Sequence, residues 1–171
     1  MTNKEASYAQ EHMVAKYMGW RVVSGSGARP FAPGDVISDQ FIVECKTHVK
    51  ETKVQFLKNH WDKIVIEARS KTKIPILITD NGTQQSQCSW VMIPYNIVSN
   101  CTSPNCIEGL PNNSRSGNAI TFDHDSVYSL YMSKCTSNNI SVFQVRWNDQ
   151  DLPLAILTLE AFRQFFEEQF N

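Results

Sequence analysis

Two carboxylates and a lysine lie close together early in the chain: Asp35, Glu44 and Lys46. Glu44 and Lys46 belong to Phe41-Ile42-Val43-Glu44-Cys45-Lys46, whose aromatic and β-branched residues read as a strand. Residues two apart on a strand share a face. Glu44 and Lys46 therefore point the same way as Ile42, and Phe41, Val43 and Cys45 point the other way. A carboxylate and an ammonium on one face of a central strand are costly to bury unless they are paired or used. Asp35 opens the preceding extended segment, and pairing across the turn Ser38-Asp39-Gln40 brings it close to Glu44. Two carboxylates held that close repel, and a hard divalent cation relieves the repulsion. A lysine beside such an ion can orient or deprotonate a water and steady the charge of a phosphorane. Taken alone, the same spacing also describes a surface salt bridge.

The elements that must hold these groups follow from periodicity. Residues 4–18 read as a helix with Glu11, Val14, Ala15 and Met18 on one face, stopped by Gly19. Glu11 lies on the face that must meet the sheet. Glu5 lies in the first turn, where the helix dipole alone favours an acid. Trp20 to Val23 is strand-like, and Ser24 to Pro30 is a flexible loop extended to Pro33-Gly34. Residues 52–69 read as a basic amphipathic helix, with Val54, Leu57, Trp61, Ile64, Val65 and Ala68 as its apolar stripe. Short strands follow at Ile76 to Ile78 and Trp90 to Pro94. Residues 95–118, rich in Asn, Ser, Pro and Gly, read as an insertion or lid without regular structure. Two or three strands fall within 119–157, including Ile140 to Val145, and Thr158 caps a last helix over Leu159 to Phe170. This order implies one α/β domain over 1–171, a mixed central sheet flanked by helices, with its core in 5–94 and 119–171.

Composition bounds the function. The chain has 171 residues, 42% hydrophobic and 19% charged, which suits one globular domain and not a disordered segment. No apolar run approaches the ~18 residues of a membrane span, and the N-terminus lacks the apolar stretch of a secretory signal. The expectation is a soluble cytoplasmic protein without a membrane partner. The net charge of -1 hides an asymmetry. Residues 1–75 hold 12 Lys and Arg against 8 Asp and Glu, and 76–171 hold 4 against 9. Lys46 to Lys73 is the densest basic stretch, which suggests a face for phosphates. The five cysteines are expected as free thiols. Cys101 and Cys106 have the spacing of half a zinc knuckle but no second tight pair to complete it.

Gly34-Asp35 followed by Ile42-Val43-Glu44-Cys45-Lys46 resembles the core motif of the PD-(D/E)xK nucleases. More narrowly, the order of Glu11, the Ser- and Gly-containing loop, Asp35, Glu44, Lys46 and a Lys-rich helix resembles archaeal and phage Holliday junction resolvases. The resemblance covers about residues 5–80, and Gly34 stands where the motif's name has proline. It implies a restriction-endonuclease-like domain that cuts branched DNA, a four-way junction, as a homodimer with Mg²⁺, for which Mn²⁺ substitutes. Asp35, Glu44, Glu11 and the backbone carbonyl of Cys45 would ligate the metal, and Lys46 would position or activate the attacking water. Ser24 and Ser26 would touch phosphate, Gln55 would support the nucleophile from the start of the basic helix, and Arg29, Lys50, Lys53 and Lys58 would meet DNA. His48 and His60 would be phosphate contacts or surface residues. A phage origin, with work in the host cytoplasm, is implied by the same likeness. The alternatives are a restriction- or repair-type nuclease on duplex or single-stranded DNA, and a binding module that keeps only the scaffold.

Overall fold

A computed structural model describes residues 1–24, 33–49, 53–108, 110, 114–135, 140–147 and 152–170. The first helix, α1 (Asn3–Met18), starts in a capping box: the Thr2 hydroxyl accepts from the Glu5 amide, and the Glu5 carboxylate accepts from the Thr2 amide. Gly19, with φ +70°, ends it. The strands β1 (Arg21–Val22), β2 (Val36–Ile37), β3 (Phe41–Lys46) and β4 (Lys53–Leu57) precede α2 (Lys58–Lys71). Then come β5 (Ile74–Asp80), β6 (Ser89–Pro94), α3 (Tyr95–Cys101), β7 (Asn105–Glu108), β8 (Ser114–Ser116) and β9 (Ala119–Asp123). The chain closes with α4 (His124–Lys134), β10 (Ser141–Val145), β11 (Leu154–Thr158) and α5 (Leu159–Phe170). Thr158 accepts from the Ala161 amide at the start of α5, the cap expected from the sequence.

Among the described residues eight strands form one sheet in the order β1-β2-β3-β5-β6-β11-β10-β7. The pairs β3/β5 and β7/β10 are parallel and the others antiparallel, so the sheet is mixed. The register carries Glu44 across to Leu77, Met92, Ile156 and Phe143, which share one face of the sheet. That face is covered by α2 at the β3/β5 end, and by α4 where Tyr131 and Phe143 meet Trp90. The opposite face carries Phe41, which packs against Trp20 and against Phe162, Phe166 and Phe170 of α5. The result is an α/β sandwich with β3 buried between helices, as the sequence implied. No helix among the described residues is long and apolar enough to cross a membrane.

Two expectations fail. The helix expected over 52–69 is strand to Leu57 and helix only from Lys58. In Lys53–Leu57 the buried residues are Val54 and Phe56, a period of two, and the strand pairs with β9 in a small sheet ordered β4-β9-β8. The 3–4 spacing of Val54, Leu57 and Trp61 fits a helix by coincidence. Residues 95–118 are not structureless. They hold α3, β8 and β7, which extends the main sheet parallel to β10, and Ile107 and Leu110 are buried in the core. The two or three strands expected within 119–157 are β9, β10 and β11, and α4 between the first two had no counterpart in the sequence reading. Asp123 caps α4 by accepting from the Ser126 amide, and Val127 and Tyr131 are buried four residues apart.

Candidate active site

The hairpin of β2 and β3 builds the site. Val36 pairs with Val43 and Ile37 with Ile42, so the register continued by one residue sets Asp35 across from Glu44. The turn is held by Ser38, whose hydroxyl accepts from the Phe41 amide, and by the Lys73 ammonium, which donates to the Ser38 and Asp39 carbonyls. Asp35 is fixed from three sides. Its amide donates to the Val43 carbonyl (2.7 Å), its carbonyl accepts from the Val23 amide (2.9 Å), and Oδ2 accepts from the Cys45 amide (2.8 Å).

Gly34, just before it, has φ +69°. A Cβ there would lie 2.6 Å from Ile42 Cγ1 and 3.0 Å from the Val43 carbonyl oxygen. Its amide donates to Glu67 Oε2 of α2 at 2.8 Å. Proline, with φ near -65° and no N–H, cannot take this position. The departure from the motif's name is thus required by the local backbone.

Glu44 is 2% exposed, and its burial is met by two ammonium groups. Lys46 Nζ lies 2.6 Å from Glu44 Oε1. Lys63 Nζ of α2 donates to both Glu44 oxygens, at 3.0 and 2.9 Å. Burial alone would push the Glu44 carboxyl up, but the charge and hydrogen bond of Lys46, then those of Lys63, hold it below the usual range. Burial alone would lower Lys63, and its hydrogen bond to Glu44 and that charge raise it instead. Lys46 Nζ also donates to the Cys45 carbonyl (3.0 Å) and lies 3.9 Å from Asp35 Oδ2. A cation therefore already sits among oxygens of Glu44, Cys45 and Asp35.

Among the described residues no three His, Cys, Asp or Glu side chains form a ready metal cage. Two carboxylates and one carbonyl nevertheless suit Mg²⁺, which commonly takes one or two protein carboxylates and completes its shell with water and substrate phosphate. The donors are hard, and the Lys46 ammonium is the stand-in that marks where they converge.

Glu11 is half-buried on α1, within electrostatic reach of Asp35, Lys46 and Glu44. Burial first, then Asp35 and Glu44 against the opposing Lys46, push its carboxyl from 4.5 up to about 7. Glu5 is exposed and spent on the capping box. The neighbouring Gln10 is fully buried, and its Nε2 donates to the Lys46 carbonyl (3.0 Å), tying α1 to the end of β3. A carboxylate whose folded pKa is raised costs stability as pH rises from its unfolded value through its folded one. Metal-free protein should accordingly lose thermal stability from about pH 5 to about pH 8, and Glu11→Gln should flatten part of that decline. The same variant is expected to cut turnover by ~10-fold, about 1.4 kcal/mol of barrier, while Glu5→Gln stays near wild type. Melting curves across pH and single-turnover rates check both, and the opposite ranking of the two variants would contradict the register of α1.

The other expected contacts are scattered. Ser24 is exposed beside Val23, whose amide bonds the Asp35 carbonyl, so it lies at the edge of the site. Gln55 is not at the start of the helix. It lies within β4, where its Nε2 donates to Thr121 Oγ1 at 3.1 Å in the small sheet. Lys53 is exposed on the same strand opposite Asp123, and Lys58 pairs with Asp62 at 2.6 Å one turn into α2. Ser26, Arg29 and Lys50 lie outside the described residues. His60 of α2 is within reach of Lys46 and Glu44, and burial, then the Lys46 charge, hold it below its usual range. His48 is exposed just past β3.

Sequence reading missed Lys63, Glu67 and Gln10. Lys63 and Glu67 stand four apart, the ordinary spacing of a solvated helical pair. Nothing local shows that one reaches Glu44 and the other Gly34. The cysteines are free, as expected, and Cys106 Sγ lies 3.0 Å from the Tyr95 hydroxyl.

No protein-family model matches the chain, and no curated protein matches its sequence. The solved structure of Hjc, a Holliday junction resolvase from the archaeal hyperthermophile Archaeoglobus fulgidus, is similar at a TM-score of 0.42 and 18% identity. The overlap covers 72% of this chain and 89% of that one. At that degree of likeness the functional reading rests on the side chains.

Proposed function

We propose that the protein is a metal-dependent endonuclease of the PD-(D/E)xK type that hydrolyses phosphodiester bonds in branched DNA, acting on four-way junctions as a homodimer. The observation that carries the reading is the convergence of oxygens of Glu44, Asp35 and the Cys45 carbonyl around the Lys46 ammonium. A divalent ion held by these oxygens would supply the positive charge that polarises a phosphoryl oxygen and acidifies water. Lys46 would donate to the attacking water and lie against the charge that develops on the phosphorane. Asp35, clamped by three backbone bonds, holds its oxygen still through the reaction. Gln10 fixes the end of β3, and with it the Cys45–Lys46 peptide. Glu11, within electrostatic reach of Asp35, Lys46 and Glu44, would approach the ion from α1. A junction has near-twofold symmetry, so a C2 dimer would present one site to each of two strands.

A substrate panel with Mg²⁺ tests this reading. Four-way junctions should be bound and cut in preference to flap and linear duplex of the same sequence. Binding should weaken steeply with salt. With roughly 4–6 phosphate contacts the log–log slope is about -4 to -5. A monomer that cuts linear duplex as fast as junctions would move the assignment to a restriction- or repair-type nuclease. A protein that binds DNA and cuts none of the three would be a binding module on this scaffold.

A further inference from the structure

Glu44 already has a close counter-ion in Lys46, at 2.6 Å from Oε1. Lys63 adds a second ammonium that spans both oxygens from outside, with its own side chain half exposed. Asp35, Glu11 and Glu67 add negative charge around this pair, so what Lys63 contests is the Glu44 oxygens themselves. A divalent ion that takes a Glu44 oxygen must compete with an ammonium, because Glu44 has no oxygen that Lys63 does not touch. Glu67 is a weak alternative partner for Lys63. Its Oε1 lies 3.8 Å away, and its Oε2 is committed to the Gly34 amide.

We propose that Lys63 is a place-holder cation: it neutralises Glu44 in the ion-free protein, yields Glu44 to the divalent ion, and then turns to a phosphate of the DNA. The inference rests on the metallonuclease reading above and goes beyond it by giving α2 a part in loading the site. Lys63 is a positioning residue in the first state and a phosphate contact in the second. Its half-exposed position lets the ammonium turn outward without unpacking α2, whose buried residues are Trp61, Ile64 and Ala68.

The test measures Mn²⁺ binding without DNA, by electron paramagnetic resonance, for wild type, Lys63→Gln and Lys63→Arg. Removing the competing charge should tighten Mn²⁺ binding by about ten-fold in Lys63→Gln, and Lys63→Arg should remain near wild type. A purely structural role predicts unchanged or weaker binding in Lys63→Gln, and that result would overturn the inference while leaving the metal site standing. Wild type that binds no Mn²⁺ at millimolar concentration would overturn the metal reading and the inference with it. The second readout is junction binding in Ca²⁺ or in chelator. Lys63→Gln should lose about one unit of salt slope in Ca²⁺ and none in chelator. An equal loss in both would make Lys63 an ordinary phosphate contact and count against the exchange.

Discussion

Glu44→Gln should lower cleavage by at least ~10³-fold, about 4 kcal/mol of barrier, while the protein still folds and binds junction DNA. Glu44 is the acid around which the site is arranged, since it pairs with Lys46 at 2.6 Å and with Lys63 at 2.9 Å. Glutamine keeps the shape and can still accept from an ammonium through its carbonyl, so packing against β5 is kept. The two lysines left without a full counter-charge are 30% and 50% exposed at their side chains, enough to turn toward water. The usual penalty for orphaning a buried charge is therefore avoided. DNA binding should hold or improve, because a negative charge has been taken from the surface proposed to meet phosphate. What is lost is a hard anionic ligand, and a neutral amide does not replace it.

A proline at position 34 should damage this protein. Gly34→Pro is expected to destabilise the fold by roughly 3–5 kcal/mol, the sum of an impossible φ and a lost hydrogen bond to a carboxylate. For a chain of this length that lowers the melting temperature by about 10 °C. Gly34 sits at φ +69° and donates to Glu67, and the space beside it is filled by Ile42 and the Val43 carbonyl. Gly34→Ala keeps the amide and should cost less, about 2–3 kcal/mol from the left-handed backbone and the 2.6 Å approach to Ile42. Calorimetry of the two variants separates the terms. A Gly34→Pro protein as stable as wild type would show that the turn before Asp35 is not the one described.

The parts of the site that were legible in the sequence depend on short-range geometry. Glu44 and Lys46 are two apart on one strand, and Asp35 is a tight hairpin away, so pairing rules alone set them together. The last helix was equally readable, since Thr158 and the Phe-rich repeat after it mark its start and its buried face. The misread segment shows where such rules stop. Val54, Leu57 and Trp61 satisfy a helical stripe, and only Phe56, fully buried and off that stripe, gives the strand away. Its burial depends on Ile120 and Phe122 of β9, more than sixty residues later. Lys63 and Glu67 were invisible for the same reason. Their partners lie 19 and 33 residues upstream, and only the packing of α2 over β3 and β5 brings them together. In 95–118 the polar composition hid the few residues that matter, Ile107 and Leu110, which fasten an edge strand to the core.

The central claim is that Glu44, Asp35 and the Cys45 carbonyl serve a divalent ion in phosphodiester hydrolysis. The most direct measurement is single-turnover cleavage of an end-labelled four-way junction by wild type and Glu44→Gln, side by side in Mg²⁺ and in EDTA. The account predicts cleavage only by wild type in Mg²⁺, with junction binding kept by both proteins. Cleavage by wild type in EDTA, or by Glu44→Gln in Mg²⁺ at the wild-type rate, would contradict it.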